Sequence, residues 1–217
     1  MRFAKESKEI IMFFVSIMLL SLVAIIVISQ FHNLWWIYVL LAIPIFCSIF
    51  VIWSFRDPQR TPNLSQNGIL APADGIVTEI VEKEKGFYCV IRMSPFDVHM
   101  TRSPINGTVR SVKCKKGKHW PAYFSNYIKR NQRNTIIIEN VEKNIIAEVI
   151  QVSGIFARRT IGYIKEGDEI TQGDVIGTIR FGSITSVEIK GEKSYKILIK
   201  SKESVRAGLS IIAIKDG

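Results

Sequence analysis

Residues Lys165–Gly177 read KEGDEITQGDVIG, and this stretch decides the fold class. It contains two Gly-Asp turns, Gly167-Asp168 and Gly173-Asp174, set around short apolar runs. Glycine supplies the positive φ that tight turns require, so each turn is expected to end one short strand and begin another. The pattern therefore indicates β structure in this part of the chain.

Further short runs of β-branched residues, split by Gly, Asn and Pro, surround this stretch. Several alternate apolar and polar residues, as half-buried strands do, and no long run has a helical period of 3.6 residues. We predict a mainly β domain, closed into a barrel or sandwich that hides its edge strands. The predicted strands are Ile76–Val81, Phe87–Met93, Thr108–Cys114, Thr135–Glu139, Ile145–Val152, Thr160–Ile164, Val175–Phe181, Tyr195–Lys200 and Ile211–Ile214.

The N-terminal quarter of the chain has a different character. Ile10–Ser29 and Leu34–Phe55 carry no charge, and only four residues separate them. At 1.5 Å per residue, each segment is long enough to cross a hydrocarbon layer about 30 Å thick. A cleaved signal peptide and two buried core helices are the alternatives, but the first has a shorter apolar region and the second usually has polar interruptions. We predict a transmembrane hairpin in residues 1–55 and a β-rich domain in residues 56–217.

The basic residues around the hairpin predict its orientation. Arg2, Lys5 and Lys8 precede the first span, Arg56 and Arg60 follow the second, and the connecting tip has neither Lys nor Arg. Because basic residues concentrate on the cytoplasmic side of membrane proteins, we expect both termini and the β domain to lie in the cytoplasm, at the cell membrane.

The charge and the cysteines narrow the partners. The formal net charge is +10, most of it in the β domain, which suggests attraction to anionic lipid headgroups. A solvated basic surface is the plainer explanation, and nucleic acid is disfavoured because no recognition helix or aromatic-basic stacking motif is seen. Cys47, Cys89 and Cys114 lack metal-ligand spacing and are expected to be reduced and buried. No metal site is predicted.

Three residues stand out as chemical candidates. Ser183 follows Gly182 at the end of an apolar run, while Asp74 and His99 lie far upstream in PADG and FDVHM. Serine, histidine and aspartate are the groups needed to turn a hydroxyl into a nucleophile. Each also has an ordinary explanation: turn punctuation at Gly182-Ser183, an Asx turn at Asp74 and a core histidine at His99.

Six stretches, in order along the chain, resemble the short phosphatidylserine decarboxylase proenzymes, including their archaetidylserine relatives. One of them, Lys165–Gly177, together with Gly107-Thr108-Val109 also resembles the hammerhead barrel of biotinyl and lipoyl domains, although the carrier lysine motif is absent. The six matching stretches are Ala71–Gly75, Met93–His99, Arg102–Gly107, Gly154–Arg159, Lys165–Gly177 and Ile179–Ser183.

The resemblance implies that the chain cleaves itself. Asp74 would fix the tautomer of His99, which would take the proton of Ser183 as its Oγ attacks the carbonyl of Gly182. The products would be a β chain, residues 1–182, and an α chain, residues 183–217. The cofactor would be a pyruvoyl group, formed covalently from Ser183 at the start of the α chain, with no metal.

The resemblance also implies the reaction. The pyruvoyl group would accept electrons as an anionic serine phospholipid, phosphatidylserine or archaetidylserine, loses CO2 to give the ethanolamine lipid. The implied partners are this lipid, the membrane and the two chains of one precursor; a homo-oligomer is left open, as is the choice between ester and ether lipids.

Some positions depart from the family pattern. The family usually has phenylalanine near His119 and glutamate at the place of Gln132. The roles of these residues stay open, as do those of Arg158 and Arg159 and a second role for His99 in decarboxylation.

Two other functions fit part of the same features. The first is a non-enzymatic, membrane-tethered hammerhead-type adaptor or transport-complex module. The second is a membrane-anchored peptidase that uses the same three residues on another protein. Self-cleavage between Gly182 and Ser183 separates the enzyme from the adaptor, because only the former releases a C-terminal fragment.

Overall fold

A computed structural model describes residues 2–3, 7–29, 35–62, 67–120, 127–154, 160–179, 183–192 and 194–215. The chain forms two compact units, Met1–Pro58 and Gln59–Gly217. Of the residues singled out in the sequence, Lys5, Arg158, Arg159 and Gly182 lie outside the described residues.

The first unit contains two long apolar helices, α1 (Lys8–Ile28) and α2 (Trp35–Ser54). Two short strands, β1 (Arg2–Phe3) and β2 (Arg56–Asp57), pair antiparallel. About half of the apolar side chains of the helices are exposed, and nearly all the others are half-buried. Both helices are long and apolar enough to cross a membrane by length and composition. They begin and end within two residues of the segments chosen from the sequence.

The second unit is built almost entirely of antiparallel strands. One short helix, α3 (Tyr127–Arg130), interrupts them. The strands are β3 (Gly68–Leu70), β4 (Gly75–Lys83), β5 (Gly86–Met93), β6 (Met100–Arg102), β7 (Gly107–Lys115), β8 (Arg133–Asn140), β9 (Ile145–Val152), β10 (Thr160–Gly162), β11 (Glu169–Ile170), β12 (Val175–Ile179), β13 (Ser183–Gly191), β14 (Tyr195–Ile197), β15 (Ser204–Val205) and β16 (Ile211–Lys215). The prediction of a mainly β domain is confirmed.

The strands form one large sheet and two small ones. The large sheet has the order β11-β7-β8-β9-β13-β5-β4-β15, so β13 lies between β9 and β5. The small sheets have the orders β10-β12-β6 and β14-β16-β3. The chain passes from a small sheet to the large one between β12 and β13, which is also where the sequence places the cleavage site.

The hydrophobic core lies on one face of the large sheet. Alternate residues of its central strands are fully buried there, as the two-residue period of a half-buried strand requires. These residues include Ile91, Ile136, Val149 and Val187, and the small sheets add Ile176 and Ile212.

Strand prediction succeeded best where the chain alternates and failed at the cleavage site. The range predicted for β9 agrees with the structure residue for residue, and that for β5 differs by one residue. Strand β13 was not predicted, although it is the central strand that begins at Ser183. Its sequence SITSVEIKG mixes hydroxyl, apolar and charged residues, because buried polar side chains occupy positions where the pattern expects apolar ones.

The prediction that the cysteines are buried is right for Cys89 and wrong for Cys47 and Cys114. Cys89 is buried, and this burial raises the pKa of its thiol to about 12, so the thiol stays protonated and unreactive at neutral pH. Cys114, at the end of β7, is exposed, and so is Cys47 in α2. Cys114 lies beyond the part of β7 that faces the core, which explains its exposure.

Candidate active site

Ser183 occupies the first position of β13, in the middle of the large sheet. It pairs with Met93 on β5, and the register runs without a break from there to the far end of the strand. Positions 183, 185 and 187 lie on one face of the sheet, and Thr185 and Val187 are fully buried. The residue predicted to be the nucleophile therefore starts a well-fixed strand beside the core.

Two connections between the sheets have neighbouring strands at both of their ends. Strand β12 ends at Ile179 and β13 begins at Ser183, so three residues carry the chain across. Strand β5 ends at Met93 and β6 begins at Met100, so the stretch containing His99 makes a similar crossing. Strand β12 pairs with β6, and β13 pairs with β5.

Backbone contacts fix His99 against the segment that leads to Ser183. The carbonyl of His99 accepts hydrogen bonds from the N–H of Ile179 at 3.0 Å and from Thr178 Oγ1 at 2.9 Å. His99 itself is only 3% exposed. The structure therefore brings His99 to within a few residues of the predicted cleavage site, although the two are 84 positions apart in the sequence.

A buried polar network holds the two sheets together behind this site. Gln151 on β9 donates from Nε2 to Thr101 Oγ1 on β6 at 2.9 Å and accepts at Oε1 from Asn134 on β8 at 3.0 Å. A Cβ on Gly177 would lie 2.8 Å from Gln151 Nε2, so only glycine lets β12 approach this amide. Since buried amides need such partners, the network fixes the spacing between β12 and the large sheet.

Asp74 lies at the same end of the large sheet. Strand β4 begins at Gly75, and Ile76 pairs with Arg92, so continuing this register by one residue puts Gly75 level with Met93 and Ser183 on the neighbouring strands. Successive strands are about 4.8 Å apart, which puts the backbone at Gly75 about 10 Å from that of Ser183. Asp74 directly precedes Gly75 and lies one residue beyond this level.

The carboxylate of Asp74 is held by partners that the sequence did not reveal. Arg60 donates from Nη1 to Oδ1 at 2.5 Å and from Nη2 to Oδ2 at 2.6 Å. The N–H of Ala207 donates to Oδ1 at 2.8 Å. The hydrogen bond between Asp74 and His99 that the resemblance implies stays a prediction.

A close approach between β4 and β5 fixes the backbone beside Asp74. Gly75 has φ +145°, and a Cβ there would lie 2.3 Å from the carbonyl oxygen of Arg92. No residue with a side chain fits this geometry without moving a strand. The close approach of β4 and β5 therefore requires glycine at position 75, directly after Asp74.

We expect Gly75→Ala to lower the free energy of unfolding by about 3 kcal/mol or more, because it adds a backbone collision to an unfavourable φ. Gly167→Ala is the matched control. Gly167 also has a positive φ, +90°, but nothing lies within 4 Å of an added Cβ. Its expected effect is about 1 kcal/mol. Equal losses in a denaturant titration would contradict the close approach of the strands.

A second histidine lies near Ser183 on the opposite side from Met93. Ile184 pairs with Val152, and continuing this register by one residue brings Ser153 opposite Ser183, at a Cα separation of about 4.5–5.5 Å. Ser153 Oγ lies 3.1 Å from Nδ1 of His119. No role for His119 could be predicted from the sequence; the strand register is what connects this residue with the site.

A cleft of about 550 Å³ opens beside the same strand ends, and its lining includes Gly75, Arg92, Met93 and Asp97. This volume lies within the range of small-molecule sites. Within the described residues, no group of three or more His, Cys, Asp or Glu side chains is arranged to hold a metal ion.

Comparison of the sequence with known proteins identifies related chains. Residues 47–213 match the phosphatidylserine decarboxylase family. A phosphatidylserine decarboxylase proenzyme of Carboxydothermus hydrogenoformans is 34% identical over 171 residues, covering 76% of this chain and 79% of that protein. A proenzyme from Methanococcoides burtonii, provisionally named an archaetidylserine decarboxylase, is 37% identical over 171 residues, covering 79% of this chain and 78% of that protein.

A phosphatidylserine decarboxylase proenzyme of Amoebophilus asiaticus is 37% identical over 172 residues and covers 76% of this chain and 75% of its own length. The family match, residues 47–213, includes Asp74, His99 and Ser183. The chain belongs to the phosphatidylserine decarboxylase family.

Proposed function

We propose that the chain is a self-processing, pyruvoyl-dependent decarboxylase of a serine phospholipid. Ser183 is the nucleophile of self-cleavage, His99 is its base, and Asp74 orients His99. The observation that supports the proposal best is the contact of buried His99 with the end of β12, whose last residue, Ile179, lies four positions before Ser183.

Self-cleavage uses only groups of the chain itself. His99 takes the proton of Ser183 Oγ as the oxygen attacks the Gly182 carbonyl, and the peptide nitrogen receives a proton as the C–N bond breaks. The resulting ester links Gly182 to the Ser183 side chain. Loss of the Ser183 α-proton then forms a C=C bond and expels the Gly182 carboxylate. Water hydrolyses the dehydroalanine, through its imine tautomer, releases ammonia and leaves pyruvoyl at residue 183.

Position 183 suits a covalent ketone. It begins a strand, it lies on the same face as buried Thr185, and buried His99 lies on the neighbouring connection. When present, the pyruvoyl group draws electrons from the bond to the departing CO2, much as pyridoxal phosphate does. His99 is then the nearest candidate acid for the substrate carbon, and Arg92 at the cleft can attract the lipid phosphate.

The helical unit fits a membrane anchor. Two helices of spanning length would form the hairpin, and the basic residues at both of its ends favour a cytoplasmic β unit. This arrangement would keep the site at the surface where its lipid substrate resides. A protease added to sealed inside-out vesicles should then digest the β unit, whereas right-side-out vesicles should protect it.

The direct test is the intact mass of the purified wild-type chain. We expect a C-terminal fragment of about 4 kDa, in proportion to 24.7 kDa for 217 residues, with a blocked pyruvoyl end. A chain that stays at full length while releasing CO2 from phosphatidylserine would refute self-processing. A fragment with a free serine amine would instead indicate simple proteolysis.

We expect the two product chains to stay together after cleavage. The α chain supplies β13, which pairs along its length with β5 and β9 of the β chain, and β16, which pairs with β3. Gel filtration in mild detergent should give one species that contains both fragments, and only denaturant should separate them. Loss of the small fragment under native conditions would contradict this pairing.

A further inference from the structure

We propose that Arg60 is a positioning residue of the self-cleavage site, acting through Asp74; this inference rests on the proposed function. Arg60 precedes the strands of the second unit. From the sequence alone, it served only as one of the basic residues that predict the orientation of the hairpin. In the structure its side chain is 8% exposed and forms a two-pronged ion pair with the Asp74 carboxylate, which is 11% exposed.

The ion pair is part of a closed ring of hydrogen bonds formed by Arg60, Asp74 and Ala207. Arg60 Nη1 donates to Asp74 Oδ1 and also to the carbonyl oxygen of Ala207 at 2.7 Å. The N–H of Ala207 returns to Asp74 Oδ1 at 2.8 Å. The backbone N–H and C=O of one residue, Ala207, thus bond to both charged partners, and the ring fixes the plane of the carboxylate as well as its position.

The ring leaves one direction open. A carboxylate has about four lone-pair positions, and the ring takes two on Oδ1 and one on Oδ2. Among the described residues, none takes the remaining position on Oδ2. A carboxylate held in this way can accept one further hydrogen bond from a defined direction, which is what orienting an imidazole requires.

Arginine suits this position better than lysine. Its planar guanidinium matches both carboxylate oxygens at once and stays charged when buried, whereas an ammonium group is a point charge that bonds one oxygen well. The fit between guanidinium and carboxylate matters because both groups are buried. Water therefore cannot replace a hydrogen bond that is lost between them.

The ring also joins the two predicted products. Arg60 and Asp74 belong to residues 1–182, and Ala207 belongs to residues 183–217. The Asp74 carboxylate is therefore positioned in part by the α chain, to which it is no longer covalently linked after cleavage. Because the ring does not involve the bond that breaks, it can persist in the processed enzyme.

The test measures the rate of self-cleavage in the full-length protein, by pulse labelling and intact mass, without substrate. We expect Arg60→Gln to slow cleavage by about 100-fold, the effect expected when a reacting group is misplaced by about 1 Å. Arg110→Gln is the matched control, since Arg110 pairs with Glu139 on the exposed surface. It should cleave at the wild-type rate.

A double variant separates positioning from general support of the fold. If Arg60 acts through Asp74, then Arg60→Gln should slow cleavage no further in the Asp74→Asn background. Independent, multiplying effects would overturn the proposal. Thermal unfolding of each variant identifies any that fails to fold.

Arg60→Lys keeps the charge if the glutamine variant does not fold. It should unfold near the wild-type temperature and still cleave about 10-fold more slowly, because one prong of the ion pair is lost. Cleavage at the wild-type rate in this variant would also overturn the proposal. Cleavage between residues 182 and 183 in Ser183→Ala would instead refute the proposed function, whatever Arg60 does.

Discussion

Ser183→Ala should give a chain that never processes itself and never releases CO2 from a serine phospholipid. Alanine lacks the hydroxyl that first attacks the Gly182 carbonyl and then leaves as part of the carboxylate in the elimination. It therefore supplies neither the cleavage nor the ketone, and both functions should disappear together. Intact mass should show only the precursor, and a CO2 assay should read background.

Ser186→Ala is the matched control for this result. Ser186 is fully buried on β13, and its position lies on the opposite face of the sheet from position 183. This control should process and decarboxylate normally. Decarboxylation that persisted in Ser183→Ala would refute the assignment of the pyruvoyl group to residue 183. Cleavage without decarboxylation in the same variant would show that the nucleophile is another residue.

Ser183→Thr offers a finer test of the same chemistry. Threonine keeps the hydroxyl, so cleavage can proceed, but its extra methyl group gives a 2-oxobutanoyl end in place of pyruvoyl. The mass of the small fragment should rise by one CH2 relative to wild type. This shift identifies residue 183, and no neighbouring serine, as the source of the ketone.

Local patterns predicted the strands that alternate cleanly and missed those that do not. Strand β9 alternates from Ile145 to Val152, so its range could be given from sequence. The ends of β13 could not, because Thr185 and Ser186 place hydroxyl groups at buried positions. A buried hydroxyl is explained only by its tertiary neighbours, and these come from strands far away in sequence.

The candidate site shows the same limit. Resemblance to the family selected Asp74, His99 and Ser183, and the sheet order then explained how these distant residues approach one another. Neither the family resemblance nor the sheet order pointed to Arg60. An arginine beside a membrane span is already explained by the excess of basic residues on the cytoplasmic side. Its partner, Asp74, is 14 residues away, and only the folded path of the chain shows that the two are buried together.

His99→Ala should stop self-cleavage while leaving the fold in place. The two hydrogen bonds that hold this residue use its backbone carbonyl, so they survive loss of the ring. Without its base, Ser183 should attack about 10²–10⁴-fold more slowly, the usual contribution of a positioned acid–base group. Pulse labelling should show the precursor persisting, with a thermal transition close to that of wild type.

Two further measurements decide whether the missing imidazole is the cause. Free imidazole added to His99→Ala should restore part of the cleavage, because the truncated side chain leaves space where the ring was. His119→Ala provides the comparison, since that ring reaches the site only through Ser153 at 3.1 Å. If His119→Ala blocked cleavage and His99→Ala did not, the base would lie on the Ser153 side of β13. The contact between His99 and the end of β12 would then serve to position the backbone alone.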